Sequence, residues 1–268
     1  MAATFKQNIT WIRVKRYWEL LSILVERNLK ARYRGSILGV YWSLLNPLLM
    51  TGIYTAVFGG VFVEYYNDSI LNYILAAFTG LAIMHFFAGS TSQALRSVLG
   101  NRSLLNKIAL PVSIFPVSMV GANIFQFVIG SLPLLAIMAF FTSGSAINSL
   151  ALFLPMLALV LVCMGTGFLL ATLFVFFRDL PYFYQLVIYA LRIATPVFYP
   201  ADIVPLKVRH FLELNPLASI IESVRQITLS GDAPDLSMIW SSLWSGAIIF
   251  IIGWLCFQTF RDRFMDLL

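Results

Sequence analysis

Residues 26–49 read ERNLKARYRGSILGVYWSLLNPLL. Arg27, Lys30, Arg32 and Arg34 crowd into the first third of this stretch, and from Gly35 onward no charged residue occurs until Glu64. A bilayer core of roughly 30 Å is crossed by about 20 predominantly apolar helical residues, so the uncharged run has the length of a membrane span. The cationic segment meets it without a linker. Gly35 stands at the junction, where a glycine frees the backbone to leave one helix and turn at once into the next. The pattern predicts a rigid corner between a surface helix and a first span.

Upstream, Trp11, Val14, Trp18, Leu21, Val25 and Leu29 recur at three- and four-residue steps, while Lys15, Glu19, Ser22, Glu26 and Lys30 line another face. This describes an amphipathic interface helix over residues 1–35, its cations suited to anionic membrane lipids and its tryptophans to the headgroup layer. An anchor that only sets topology and an arm that transmits motion both fit the pattern. The wider composition agrees with a membrane setting. Of 268 residues, 60% are hydrophobic and 11% charged, and mean hydropathy is +0.85, far from the balance of a soluble domain. The net charge of +6 does not point to nucleic acid, because the cations flank apolar runs instead of covering a polar face. Cys163 and Cys256 sit inside apolar runs without ligand spacing. No short apolar core with a small-residue cleavage site follows Lys6, Arg13, Lys15 and Arg16, so the first span is expected to serve as the insertion signal.

Six segments reach spanning length, near 37–63, 70–94, 112–141, 150–177, 181–199 and 237–260. The third is over-long, and Pro116 and Pro133 predict kinks in it. Lys and Arg favour the cytoplasmic side. With an even number of spans, one side collects the N-terminal cations together with Arg96, Arg102, Lys107, Arg178, Arg261 and Arg263. The opposite side holds Lys207, Arg209 and Arg225 against seven acids, Glu64, Asp68, Asp202, Glu213, Glu222, Asp232 and Asp235. Both termini are expected in the cytoplasm. Between spans five and six, residues 200–235 contain two amphipathic runs divided by Asn215-Pro216, an N-cap residue followed by a proline fitted to the first helical position. A re-entrant pair and a pair lying flat on the outer surface are the two readings.

Catalytic constellations are missing. His85 and His210 are the only histidines, no Cys/His cluster exists, and no G-x-x-x-x-G-K-[ST] loop is present. No catalytic residue, metal site or bound cofactor is expected on this chain. Gly165-Thr166-Gly167 reads as a small-residue helix contact within an apolar span, and His85 as a satisfied polar group. Arg192 lies midway along the fifth span, where an ionisable group is costly unless it faces water, a partner or the bundle interior. A place on a transport pathway, snorkelling, and a bond to a carbonyl or to Glu222 are its alternatives. Tyr182, Phe183, Tyr184, Tyr189, Phe198 and Tyr199 supply aromatic rings along the same span, and rings facing a path would offer flat surfaces to sugars. In residues 94–111, apolar Leu95, Val98, Leu99, Leu104, Leu105 and Ile108 alternate with Arg96, Arg102 and Lys107. Such a short helix suits a partner's groove or packing on its own bundle.

Taken together, these residues resemble the type-2 ABC transport permeases that export polysaccharides and polyol phosphates, the membrane subunits of O-antigen, capsule and teichoic-acid exporters. The clearest match is Lys30-x-Arg32-Tyr33-x-Gly35-Ser36-x-Leu38-Gly39-x-x-Trp42-x-x-Leu45-x-Pro47-Leu48. It continues in order through Asn101, Leu104 and Lys107 ahead of Pro111, Phe177-Arg178-Asp179, Thr195-Pro196-Val197-Phe198-Tyr199-Pro200, and Asn215-Pro216 with Glu222 and Arg225. Leu110 departs from the pattern, which places an aromatic before Pro111.

The resemblance implies a single all-α permease domain over 1–268: interface helix 1–35, spans one to five over 36–199, outer gate helices 200–236, and the last span with a cytoplasmic tail over 237–268. It also implies a homodimer in the bacterial inner membrane with two copies of an ABC ATPase, which carry the ATP and magnesium. Asn101, Arg102, Leu104, Leu105 and Lys107 would couple to the ATPase. Asn215, Pro216, Glu222 and Arg225 would belong to the outer gate. Arg32, Tyr33 and Arg34 would receive the phosphate of a lipid-linked glycan, and Arg192, Tyr182, Tyr184, Tyr189, Phe198 and Tyr199 would touch the moving chain. An exporter of small hydrophobic compounds or lipids, an ATP-independent channel or secondary transporter, and a membrane-embedded glycosyl or phosphotransferase are the competing readings. The transporter alternative lacks an inverted repeat, and the enzyme lacks an acidic or metal-binding cluster.

Overall fold

A computed structural model describes residues 2–107, 110–205, 207, 214–230 and 235–267. Its long helices are α1 (Ala2–Arg32), α2 (Trp42–Phe62), α3 (Ile70–Gly100), α5 (Ile114–Ile129), α6 (Ser131–Ser143), α8 (Phe153–Phe176), α9 (Leu180–Ala194) and α11 (Leu236–Leu267). Shorter helices are α4 (Arg102–Leu105), α7 (Ala146–Ala151) and α10 (Pro216–Arg225), the last running into a π turn at Gln226–Ser230. No strand occurs among the described residues. The stretches Gly39–Tyr66, Ile70–Gly100, Ala146–Phe176 and Leu236–Phe264 are long and apolar enough to cross a bilayer, and α5 with α6 makes a fifth such stretch bent by 44°. The chain is a multi-pass membrane protein.

The bend in the third span falls at Gly130, in the turn before Pro133, whose missing N–H cannot bond the carbonyl of Ile129 and whose ring crowds it. Pro116, in the first turn of α5, makes no bend within that helix. Gly130 takes φ −88 and ψ −85 between α5 and α6, and a Cβ there would lie 2.4 Å from Ser43 Oγ on α2. The expected fifth span is helical only over α9, whose 15 residues cover about 22 Å at 1.5 Å per residue. Thr195 is extended, with ψ 140, because the ring of Pro196 disfavours helical backbone in the residue before it.

The corner after α1 is built on two glycines. Gly35 has φ +78 and Gly39 φ +50, both in the left-handed region, and a short 3-10 turn at Gly39–Tyr41 leads into α2. On α1 itself, Tyr17, Leu20, Leu21 and Leu24 pack into the core cluster that includes Ile114 and Phe115 of α5. Val14 and Trp18, placed by periodicity on the apolar stripe, remain exposed. Leu21 of that stripe thus faces the bundle, while Val14 and Trp18 stay open on the side expected to meet the headgroup layer. Trp11's side chain, and residues 206 and 208–213 of the first helix expected before Asn215, lie outside the described residues, and Ala201–Ile203 form a short 3-10 turn. The second helix, α10, begins with the expected cap: Leu217 N donates to Asn215 Oδ1 at 3.1 Å. Leu217, Ile220, Ile221 and Val224 of α10 are buried, and the helix packs among α3, α8 and α11.

Helices α8 and α11 touch backbone to backbone. A Cβ on Gly165 would lie 2.4 Å from Ile249 O, and one on Gly253 would lie 2.0 Å from Gly165 O. The small-residue contact expected at Gly165-Thr166-Gly167 is this crossing, with Gly167 set against Ala94 of α3. Gly253→Val should force the two helices apart and cost about 3 kcal/mol or more. Thermal unfolding of the detergent-purified chain should show a clear loss, whereas Gly60→Ala, where nothing lies within 4 Å, should leave stability unchanged or slightly raised.

Candidate functional site

Arg32 closes α1, where a cation complements the carbonyl end of the helix. Its Nη1 donates to Asn123 Oδ1 at 3.2 Å and to Gln126 Oε1, both on α5. Asn123 Nδ2 donates in turn to Gln93 Oε1 on α3 at 3.1 Å and to Met119 O at 2.8 Å. These groups line a cleft of about 450 Å³ among α1, α2, α3 and α5, together with Tyr33, Asn46 and His85. Burial pushes the Tyr33 phenol above its usual range, opposed by the charge of Arg32. The same burial lowers the guanidinium of Arg32, offset by Tyr33. Arg34 does not join the cleft. It lies on a shallow depression with Ile23, Glu26 and Lys30, where the hydrogen bond and charge of Lys30 hold the Glu26 carboxyl below the usual range.

A larger cleft of about 830 Å³ opens where α1, α3 and α4 meet. Arg27 Nη2 donates to Asn101 Oδ1 at 2.6 Å, Asn101 Nδ2 donates to Ser97 O at 2.7 Å, and Asn28 Nδ2 donates to Ser118 Oγ at 3.2 Å. The surface helix is therefore stitched to the connection between α3 and α5. Within that connection Leu105 and Asn101 are buried and Leu104 half-buried, while Arg102 and Lys107 are exposed. The expected group of five residues divides into an inward pair that holds α4 and an outward set free to meet a partner.

At the other end of the bundle Arg225 is only 4% exposed. Its Nε donates to Ala76 O at 3.2 Å, its Nη2 to Val197 O at 2.8 Å, and its Nη1 lies 3.8 Å from Glu222 Oε2. Val197 O presses on α3 where a Cβ at Gly80 would lie 2.1 Å away. Asn215 Nδ2 donates to Thr195 Oγ1 at 2.8 Å, tying the start of α10, just before Pro216, to the same non-helical segment. Glu222 is thus the partner of Arg225 and not of Arg192.

Arg192 is half-buried on α9, and its Nε is buried without a hydrogen-bond partner. The aromatics grouped with it separate. Tyr182 and Tyr189 are exposed on α9, but Tyr184 turns inward, its hydroxyl donating to Thr91 Oγ1 at 2.6 Å. Tyr199 donates to Ile193 O at 2.9 Å. Phe198 stacks on Tyr54 at 4.5 Å and Phe58 at 5.5 Å between ring centroids. Those partners belong to a ladder of Tyr54, Phe58 and Phe62 that sequence reading missed, although its four-residue spacing marks one helix face. The amides Gln93, Asn123 and Gln126 were missed too; their signal is polarity inside apolar spans.

The sequence signature of the ABC-2 type transporter family matches residues 19–229. The chain belongs to that family. It is similar to the O-antigen export system permease protein RfbA of Klebsiella pneumoniae, at 30% identity with all of both chains covered. It is also 30% identical to an O-antigen export system permease protein RfbA of Myxococcus xanthus, over 92% of this chain and 93% of the relative. The capsule polysaccharide export inner-membrane protein CtrC of Neisseria meningitidis is 20% identical, over 87% of this chain and 88% of its own length. In this ABC-2 permease Arg225 is the buried arginine among the described residues, and Arg32 is half-buried at its cleft. Arg225→Lys keeps the charge but cannot reach both carbonyls and Glu222 at once. It should lower stability by about 2 kcal/mol, read as a drop in unfolding temperature, whereas Glu222→Gln, at a half-exposed site, should change it little.

Proposed function

We propose that this permease is the membrane-spanning subunit of an ATP-driven exporter that moves a lipid-linked polysaccharide from the cytoplasmic to the outer face of a bacterial inner membrane. The full-length likeness to O-antigen export permeases carries this reading. The polar cleft beside α1 supports it, because a half-buried guanidinium at the end of a surface helix suits the phosphate of a lipid-linked substrate. In this scheme both termini are cytoplasmic, in keeping with the distribution of Lys and Arg, and α9 with residues 195–199 makes a short sixth crossing.

The substrate's phosphate meets Arg32 and Tyr33, with Arg34 nearby on the outer side of α1. The exposed apolar sides of α2 and α9, which include Leu49, Ile53, Val57, Leu186 and Ile193, support a homodimer, since a two-fold interface encloses a wide path more readily than one subunit does. Arg192, Tyr182, Tyr189, Phe198 and Tyr199 belong to that path, and Tyr184 backs it from inside. Two ATPase subunits dock on Arg102, Leu104 and Lys107 and hydrolyse ATP with magnesium. Asn101 and Leu105 pass the movement to α1 through Arg27. Residues Asn215, Pro216, Glu222 and Arg225 hold the outer gate.

The ATPase rate of the permease co-purified with its ATP-binding partner tests this directly. Addition of the lipid-linked glycan should raise the rate, and a rate that ignores glycan but follows small hydrophobic compounds would replace the polysaccharide reading. Arg192→Ala should reduce surface polysaccharide several-fold with membrane levels of the protein unchanged; undiminished export would remove Arg192 from the path.

A further inference from the structure

Helix α9 is anchored at its two ends and loose between them. Tyr184 is its one buried residue. Leu186, Val187, Tyr189 and Ile193 are exposed, and Ile188 and Leu191 rest against the core. Helices α3 and α8, by contrast, bury residues along their whole length. An apolar side chain facing lipid gains little by turning to protein, so the middle of α9 has little packing to fix its tilt. Arg192 adds a second sign: its Nε is buried without a partner. A buried donor left unmade costs free energy, a penalty that another position of the helix would relieve.

The two anchors differ in kind. At the cytoplasmic end the Tyr184 hydroxyl donates to Thr91 Oγ1 at 2.6 Å, and Thr91 donates in turn to Phe87 O at 2.7 Å. The Tyr184 ring sits with Leu95 and Leu170. One side chain and one directed bond make a pivot, about which a rod turns without leaving its seat. At the other end the chain dives into the bundle, with Thr195 and Val197 fully buried. Non-helical backbone at that depth has to be held by other parts of the protein. Asn215 Nδ2 donates to Thr195 Oγ1 at 2.8 Å, Arg225 Nη2 to Val197 O at 2.8 Å, and the Tyr73 hydroxyl to Phe198 O at 3.0 Å. Tyr73 is itself fully buried on α3. Three directed bonds to one short segment, pressed on Gly80 at Val197 O, hold it either seated or released.

We propose that α9 is the moving wall of this permease, turning about Tyr184 when the latch on residues 195–199 is released, and that Tyr73 and Tyr184 are positioning residues for that motion. Release draws Phe198 away from its stack on Tyr54 and Phe58, so α9 parts from α2 while α3, α8 and α11 stay packed. The inference deepens the exporter reading and rests on it only for what passes along the wall and for the ATPase that drives release.

The test uses the full-length permease with its ATPase in nanodiscs, in a Cys163→Ala, Cys256→Ser background. Spin labels at the exposed positions of Ala194→Cys and Ser241→Cys report α9 against α11. Labels at Phe153→Cys and Thr259→Cys, also exposed, report α8 against α11. Excess unlabelled permease keeps most complexes to one labelled chain. Trapping with ATP, magnesium and vanadate should shift the first distance by several ångström and leave the second in place. In the nucleotide-free state Tyr73→Phe should move part of the first distribution to its trapped position, and Tyr184→Phe should broaden it. Tyr41→Phe, at an exposed phenol, should do neither. Tyr73→Phe and Tyr184→Phe should also keep the ATPase rate while exporting several-fold less polysaccharide per ATP, a split that lost stability alone does not produce. A first distance that ignores vanadate and both variants, or two distances that shift together, would overturn the moving wall. Lowered unfolding temperatures with unmoved distances would overturn the positioning roles and leave Tyr73 and Tyr184 as packing residues. Because the variants act without nucleotide, the two readings fail separately. A complex that does not trap vanadate, or normal surface polysaccharide in a strain lacking the gene, would count against the exporter reading, with the latch decided by Tyr73→Phe alone.

Discussion

In hydrocarbon an apolar side chain gains little by leaving lipid for protein, so helices hold together where their backbones approach closely and where polar groups are satisfied between them. In this permease the approach is made by Gly165 on α8 and Gly253 on α11, whose missing side chains let one backbone rest on the other. The α8–α11 pair makes the most extensive helix contact in the structure, followed by α3 against α8. Helices α2 and α9 lie outside this packed centre and keep apolar sides uncovered. That division separates a fixed scaffold from the elements best placed to meet a second subunit or a substrate.

Two arginines, Arg225 buried and Arg32 half-buried, then organise the ends of the bundle by different means. Arg225 is saturated: two backbone carbonyls and Glu222 take its donors, and it clamps the non-helical segment at Val197 against α3. Arg32 is held by the amides of Asn123 and Gln126 and by the Tyr33 phenol, and ties the end of α1 to α5. The link from Arg27 to Asn101 places the helix that carries Arg32 in contact with the α3–α5 connection. Movement at that connection would therefore be felt at the cleft.

Much of this was legible in the chain itself. The abrupt change from cations to an uncharged run located the corner at Gly35, since only a span demands so long an apolar stretch and only a permissive backbone turns so sharply. Asn215-Pro216 announced the start of α10, and Gly165-Thr166-Gly167 a close helix contact, because capping and close packing are local properties of residue type. On α1 periodicity marked the side for the headgroup layer, where Trp18 and Val14 stay exposed, but did not show that Tyr17 and Leu24 face the bundle. A helix bordered by both lipid and protein has two apolar sides, and hydrophobicity cannot tell them apart.

The sequence by itself determined that this is a multi-pass helical membrane protein, which family it resembles, and which residues cap or break several of its helices. Each of these follows from composition and short-range spacing. Only the tertiary structure decided that Arg32 meets Asn123 and Gln126, residues 91 and 94 positions away in the chain. It alone decided that Tyr184 turns inward, that Arg34 stands apart from Arg32, and that Glu222 belongs to Arg225. These outcomes depend on which faces of different helices come together, and that choice is made by backbone contact and the pairing of buried polar groups, which no local pattern encodes.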